Sequence, residues 1–131
     1  MVESTSSPNP TLLNFLKAQV RAQRHKEWLD AVHAAVLAGL GEPSMVINDI
    51  ASAVFISERQ FYRKLKKLTG LTPNQFIQQI RMEQAQKLLQ GQEYDSVSRV
   101  AKAVGFLSSD YFSLLYERYY GVKPAVLLER A

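Results

Sequence analysis

The sequence lacks cysteine entirely, which excludes a disulfide-stabilised scaffold, a cysteine-ligated zinc finger and a thiol-based catalyst. It also lacks any run of about 18 apolar residues, the length that a membrane-spanning helix needs. Residues 1–10 are polar and contain no apolar segment typical of a secretory signal. We therefore expect a cytoplasmic protein with no membrane partner.

Residue combinations typical of enzymes are missing as well. His25 and His33 have neither a cysteine nor a third histidine with which to complete a metal site. No serine, histidine and acidic side chain are spaced as in nucleophilic catalysis. The six glycines are too dispersed to form a phosphate-cradling loop. We expect no enzymatic activity, no metal and no other cofactor.

The length of 131 residues corresponds to about one domain. The content of 47% hydrophobic and 21% charged residues is ordinary for a soluble globular protein. Lysine and arginine number 16 against 12 aspartate and glutamate residues, which gives a net charge of +4. This excess is too small to identify a nucleic-acid partner by itself, so the distribution of the charges is more informative.

Hydrophobic spacing and turn residues divide the chain into three parts. The serine- and proline-rich residues 1–10 predict a disordered leader. Residues 11–43 predict a helical N-terminal linker with Thr11 as its N-cap. Its apolar stripe at helical spacing comprises Trp28, Leu29, Val32, Val36 and Leu40. Residues 44–131 contain short helical segments between glycine and proline turns and no strand pattern, so the predicted fold class is all-α.

An internal repeat with a period of about 50 residues organises the C-terminal part. Residues 50–54 recur as residues 100–104, and each copy is followed by a serine, an aromatic residue, a glycine and a proline in the same order. These are Ser57, Phe61, Gly70 and Pro73 in the first copy, and Ser108, Phe112, Gly121 and Pro124 in the second. Each copy predicts a short helix, a tight turn and a second helix, which is the helix-turn-helix plan. Gly105 supplies a flexible turn residue in the second copy, whereas the first has Phe55 there and must turn without glycine.

The repeat alone fits two architectures: two helix-turn-helix subdomains joined by a long linker helix and preceded by an extra N-terminal helix, or a generic helical bundle with a duplicated helical hairpin. The first unit covers residues 46–70 and the second covers residues 96–121. The linker helix covers residues 74–90 and is about 25 Å long at 1.5 Å per residue.

The second helix of the first unit is strongly basic. Phe61, Leu65 and Leu68 share one face and are predicted to pack inward. The opposite face carries long hydrogen-bond donors suited to base edges, and the predicted base-reading residues are Arg59, Gln60, Tyr62 and Arg63. Phosphate contacts, which hold register rather than read sequence, are predicted for Ser57, Lys64, Lys66 and Lys67.

The second helix of the second unit is chemically different. Asp110 and Glu117 stand against a single basic residue, Arg118, which is a candidate phosphate contact. The outward positions, and candidate base contacts, are Ser109, Asp110, Ser113 and Leu114, whereas the predicted core positions are Tyr111, Phe112, Leu115 and Tyr119. Phosphates repel an acidic side chain, so we expect either a weaker DNA contact through hydroxyls, water and a thymine methyl, or a mainly structural role.

Over roughly residues 44–130 the chain resembles the AraC/XylS-type DNA-binding domain. The more specific pattern lies in the second unit, with Gly-Phe, Tyr-Phe and Gly-Val-x-Pro at residues 105–106, 111–112 and 121–124. The run Tyr-Arg-Lys-Leu-Lys-x-Leu-Thr-Gly at residues 62–70 resembles most closely the version at the C-termini of bacterial two-component regulators, including hybrid ones.

The resemblance implies sequence-specific DNA binding in the major groove by the output domain of a bacterial transcription regulator. It implies that the linker helix sets the two second helices in successive major grooves, about 34 Å apart. The family usually has arginine or lysine at the position of Leu114 and lysine at that of Glu117, which lowers the contribution expected of the second unit. Arg81 matches a frequent basic position of the family, either as a phosphate contact or as an intramolecular tie.

The predicted N-terminal helix lies outside the resemblance. Lys17, Arg21 and Arg24 form a stripe on it that is either a solvated face or a contact for the DNA backbone or a partner. In the regulators that the chain resembles, this region leads to an upstream sensor or receiver domain, so the interpretation favoured is a fragment of a larger regulator. The predicted partners are double-stranded DNA and also RNA polymerase or such an upstream domain, and the oligomeric state is left open. The alternative function is a protein-protein interaction module that uses the same helical repeat, with Trp28 and the N-terminal helix as the contact.

Overall fold

The computed structural model describes residues 9–128, which form seven helices and no strand. The predicted leader lies outside the described residues, apart from its last two positions. Asn9 caps the first helix in place of the predicted Thr11, because its side chain accepts hydrogen bonds from the backbone of Thr11 and Leu12. The all-α prediction is confirmed. The helices are α1 (Pro10–Ala38), α2 (Ile47–Ala53), α3 (Glu58–Thr69), α4 (Pro73–Gly91), α5 (Val97–Ala103), α6 (Ser109–Tyr120) and α7 (Ala125–Leu128).

The two units share one backbone plan, with α2 and α3 in the first and α5 and α6 in the second. The N–H of Ile56 donates to the carbonyl oxygen of Ala51 at 3.2 Å, and the N–H of Phe106 donates to that of Ala101 at 2.9 Å. Helices α3 and α6 each end at a glycine in the left-handed conformation. The sequence repeat is therefore also a repeat of this turn hydrogen bond and of the helix end.

The turns differ at the position where the sequence has phenylalanine in one unit and glycine in the other. Phe55 adopts a φ of 65° and Gly105 a φ of 90°. The first turn is thus made by a left-handed phenylalanine whose side chain is 93% exposed. The second turn is one residue longer, since Leu107 stands between Phe106 and the cap Ser108.

The C-terminal half of α1 belongs to the packed core. Val32 and Val36 are completely buried, and Leu40 beyond the helix end is 8% exposed. This segment packs against α2 and α4. The apolar stripe of α1 is therefore covered by the first unit and the linker helix.

Helix α4 runs through the middle of the molecule and begins and ends one residue outside the predicted linker helix. Thr72 caps it, with its side chain accepting from the N–H of Gln75 while the Gln75 side chain accepts from the N–H of Thr72. It packs against α1, α3, α5 and α7. Its buried residues are Pro73, Ile77, Ile80, Arg81, Met82, Ala85 and Leu89.

Arg81 is a buried charged residue at the centre of this packing, 8% exposed. Its Nη1 donates to the carbonyl oxygen of Leu40 at 2.7 Å and to that of Val104, and its Nη2 donates to the carbonyl oxygen of Glu42 at 3.2 Å. Burial lowers the pKa of Arg81, but an arginine stays protonated in proteins. Of the two roles considered for Arg81, the structure supports the intramolecular tie. A phosphate contact is contradicted because the guanidinium points into the interior.

Substitutions at the two equivalent turn positions should change stability in opposite directions. Gly105→Ala should lower the free energy of unfolding by about 3 kcal/mol. The new Cβ would clash with the Arg81 guanidinium, and alanine would have to adopt the left-handed backbone conformation of Gly105. Phe55→Gly should raise it by about 0.5–1 kcal/mol, because the relief of a left-handed side chain exceeds the added entropy of the unfolded chain. Urea unfolding measures both, and a change of the same sign in the two variants would contradict the strain assigned to Phe55.

Removal of the buried guanidinium should be strongly destabilising. Arg81→Met keeps a long side chain but leaves three carbonyl oxygens without their donor, so the free energy of unfolding should fall by about 3 kcal/mol or more. Arg81→Lys should recover only part of this loss, because an ammonium group lacks the planar fork that reaches several acceptors. Thermal unfolding of the two variants checks the order, and an Arg81→Met protein as stable as the wild type would show that the tie contributes nothing.

Candidate nucleic-acid interface

The N-terminus of α3 is closed by a reciprocal pair of side chains. The Ser57 Oγ accepts from the N–H of Gln60 at 3.1 Å, and the Gln60 Oε1 accepts from the N–H of Ser57 at 3.0 Å. Both side chains are therefore engaged in a capping box. The structure assigns Gln60 and Ser57 to the cap, in contrast to the base and phosphate contacts predicted for them.

The inner face of α3 is held by aromatic and aliphatic packing, as the sequence predicts. Phe61 and Leu65 are buried, and Leu68 is half-buried. The ring of Trp28 on α1 lies 5.8 Å from that of Phe61, centroid to centroid. These contacts fix the rotation of α3 about its axis and so determine which side chains face solvent.

The outer face of α3 presents basic side chains and a tyrosine. The exposed residues at the predicted outward positions are Arg59, Tyr62, Arg63, Lys66 and Lys67. Within residues 9–128, no acidic side chain forms an ion pair with any of them. Lys66 instead donates from its Nζ to the carbonyl oxygen of Gly70 at 3.0 Å, at the end of its own helix. The face is thus positively charged and open to an anionic partner.

Lys64 occupies a different position from the other basic residues of α3. It is half-buried on the flank that faces α1, and its Nζ lies 4.6 Å from the centre of the Trp28 ring. The ammonium is therefore held by a cation–π contact. A phosphate contact by Lys64 would form at the junction of α3 and α1 and not on the outer face of α3.

Helix α6 presents a weaker version of the same surface. Asp110 and Leu114 are exposed, whereas Ser109 and Ser113 are half-buried. Arg118 is exposed on the same helix as the exposed Glu117 and Asp110. The face that corresponds to the basic one of α3 is therefore short of positive charge.

The predicted core of α6 is correct at Phe112 and Leu115 and wrong at two tyrosines. Tyr111 is 53% exposed and Tyr119 is 46% exposed. Tyr116, which the sequence reading missed, is completely buried. Its ring lies 5.9 Å from Phe112 and 4.7 Å from Tyr120, centroid to centroid. Three-to-four spacing from Phe112 identifies Tyr116 as the inward residue, and this signal was available in the sequence.

The part of the chain from residue 9 to residue 128 lacks two structural features that would indicate other classes of function. In that part no group of three or more histidine, aspartate or glutamate side chains is placed to hold a metal ion. None of its helices combines the length and the apolar character needed to cross a lipid bilayer.

Comparison with known proteins identifies the family. A family described as a helix-turn-helix domain matches residues 50–130. The transcriptional activator RhaS of Escherichia fergusonii is 39% identical over 75 residues, which are 57% of this chain and 27% of that protein. The chain thus spans only about a quarter of the length of this curated relative.

Solved structures agree with the family assignment. A regulator from Chromobacterium violaceum, described as having an AraC-type DNA-binding domain, is 28% identical with a TM-score of 0.70, over 79% of this chain and 90% of that one. The DNA-binding domain of AdpA, solved with a target DNA, is 35% identical with a TM-score of 0.65, over 75% and 86%. The C-terminal domain of the two-component response regulator YesN from Fusobacterium nucleatum has the same fold at 22% identity and a TM-score of 0.65, over 76% and 96%.

The duplicated turn geometry, the exposed basic face of α3 and the family match over residues 50–130 point to one conclusion. The chain belongs to the AraC-type helix-turn-helix family of DNA-binding transcription regulators.

Proposed function

We propose that α3 reads base edges in the major groove and supplies most of the sequence specificity. The observation that carries this proposal is the placement of Arg59, Tyr62 and Arg63 on the exposed face opposite the buried Phe61 and Leu65. A guanidinium can donate two hydrogen bonds to the edge of a guanine, and each such pair discriminates by about 1–3 kcal/mol. The rigid packing beneath α3 holds these donors in a fixed direction.

The lysines are proposed to hold the domain on the phosphate backbone. Lys66 and Lys67 lie in the last turn of α3 and are exposed. Phosphate contacts fix register without reading sequence. The cap of α3 leaves Ser57 and Gln60 with a supporting role, because they fix the first turn from which Arg59 projects.

Helix α6 is proposed to make the weaker contact in the adjacent groove. Ser109 and Ser113 offer hydroxyls, Leu114 offers an apolar contact to a thymine methyl, and Arg118 is a candidate for a phosphate. Asp110 opposes this contact by charge. Since α4 joins both units in one packed core, the second unit would follow the first into register, with bending of the DNA as an accompanying adjustment.

We further propose that the domain is the output part of a longer bacterial regulator that acts in the cytoplasm. The support is the small share of RhaS that the chain spans. The signal would then come from another domain or another protein, such as a sensor or receiver, and RNA polymerase is the proposed protein partner at the promoter. Its activity is proposed to be binding alone, without catalysis.

Selection of bound duplexes from a random DNA library tests the proposed function directly. A motif that spans two successive grooves would support readers in both units, and a single short half-site would assign the reading to α3 alone. Binding without sequence enrichment, or binding that does not weaken with salt, would contradict the proposal and favour the protein-interaction alternative. DNA binding must fall steeply with salt because phosphate contacts release counterions.

Substitution of the base-reading arginine should cost specificity as well as affinity. Arg63→Ala should weaken binding to the selected site by about 1–3 kcal/mol and relax the preference at one base position. Lys66→Ala is the matched control on the same helix, because loss of a phosphate contact should weaken all sequences alike. Competition binding with selected and random duplexes measures the difference. An equal loss on both duplexes for Arg63→Ala would exclude base reading by this residue.

The capping residue should behave differently from the arginines. Gln60→Ala should lower the free energy of unfolding by about 0.5–1 kcal/mol through loss of one half of the capping box. It should leave the base preferences of the folded protein unchanged. Library selection with the variant checks the second point. A base preference relaxed by Gln60→Ala would show that Gln60 contacts a base.

A further inference from the structure

A basic stripe on α1 remains unexplained by the proposed function. Lys17, Arg21 and Arg24 recur at spacings of four and three residues, so they share one side of the helix. All three are exposed. We call these three residues the basic arm. Trp28 continues the same stripe one turn further along.

The basic arm is connected to α3 through the contact between Trp28 and Lys64. Trp28 packs on Phe61, and the Lys64 ammonium lies over its ring. Lys64 and His25 line two neighbouring surface grooves. The first groove also includes all three residues of the basic arm, and the second also includes Arg63 and Lys67 of α3. The positive surface therefore continues from the reading helix onto α1 without interruption.

The basic arm lies in a stretch of α1 that contains no acidic residue. The sequence has no acidic residue between Glu3 and Glu27. Lys26 is the basic residue of this region that forms an ion pair within α1, with its Nζ 2.8 Å from the Asp30 carboxylate. It lies on the opposite side of the helix from the arm, about half a turn around the axis. The Asp30 contact raises the pKa of Lys26 by a side-chain hydrogen bond and by opposite charge. Within residues 9–128 the three arm residues form no ion pair.

We propose that the basic arm binds the phosphate backbone of DNA beside the site read by α3. The inference rests on the proposed function, because the same duplex must be held by the first unit. From Trp28, which contacts α3, to Lys17 at the far end of the arm the helix advances about 16 Å. If α1 runs along the duplex, this distance covers about five base pairs. The arm thus lengthens the footprint of the first unit by about half a turn of DNA and adds affinity without base preference.

A pair of charge-matched variants tests the arm. Lys17→Gln/Arg21→Gln removes two arm charges, and Lys26→Gln/Lys87→Gln removes two exposed charges elsewhere. Both variants change the net charge equally, and glutamine keeps nearly the same helix propensity as lysine and arginine. Circular dichroism and thermal unfolding confirm that each variant folds as the wild type does.

The readout is the salt dependence of binding to the duplex selected with the wild-type protein. The slope of log affinity against log salt should decrease in magnitude by about 2 in the arm variant, since each phosphate contact contributes about 0.9. The ratio of the wild-type affinity to the arm-variant affinity should accordingly fall by about tenfold between 50 and 200 mM salt. The control variant should keep the wild-type slope.

Duplex length supplies the second readout. The selected duplex is shortened by about five base pairs at each end in turn. Loss of one of the two ends should weaken DNA binding by the wild type and the control but not by the arm variant. If the arm variant matches the control in slope and in its response to both shortened duplexes, the proposed DNA contact of the basic arm is wrong. This outcome includes the case in which the arm binds only a protein partner. Failure of the wild type to bind DNA in a salt-dependent way instead overturns the proposed function itself.

Discussion

Arg81 donates hydrogen bonds from the middle of α4 to carbonyl oxygens in the segment between α1 and α2 and in the turn of the second unit. A buried charge is expensive unless its hydrogen bonds are satisfied, and here backbone carbonyls satisfy them in place of a carboxylate. The position is only possible because Gly105 leaves the space that the guanidinium fills. One side chain thus holds together three segments that are distant in sequence, and the relative placement of α3 and α6 depends on it.

The two units combine a common backbone with different surfaces. Both turns contain the same backbone hydrogen bond and both second helices end at a left-handed glycine. In contrast, Arg59 and Arg63 of α3 have no basic counterpart among the exposed residues at the start of α6. Packing constrains the inner faces of both units, because each must cover α4. The outer faces are not constrained in this way, so one unit can be rich in donors for DNA while the other is nearly neutral.

The sequence predicted those elements whose signal is local. Apolar spacing identified the helices and the inward direction of Phe61, and the repeat identified both units. The signal for the cap formed by Ser57 and Gln60 is also local, since serine and glutamine three residues apart form a recognisable pattern. The neighbouring basic residues instead favour the prediction of DNA contacts for these two side chains. The choice between a phosphate contact and an intramolecular tie for Arg81 could not be predicted, because its acceptors come from residues far away in the chain. The same holds for the inner half of α1, whose stripe was visible while its covering partners were not.

The continuity of α1 constrains how this region can vary in length. The helix runs without a break from Pro10 to Ala38, so its exposed and buried halves keep a fixed angular relation. Insertion of one residue between Arg24 and Trp28 would rotate everything before it by about 100° and carry the positive side chains away from α3. Insertion of seven residues would nearly restore the angle and shift those side chains by about 10 Å. Changes of length that preserve the surface are therefore restricted to whole helical turns.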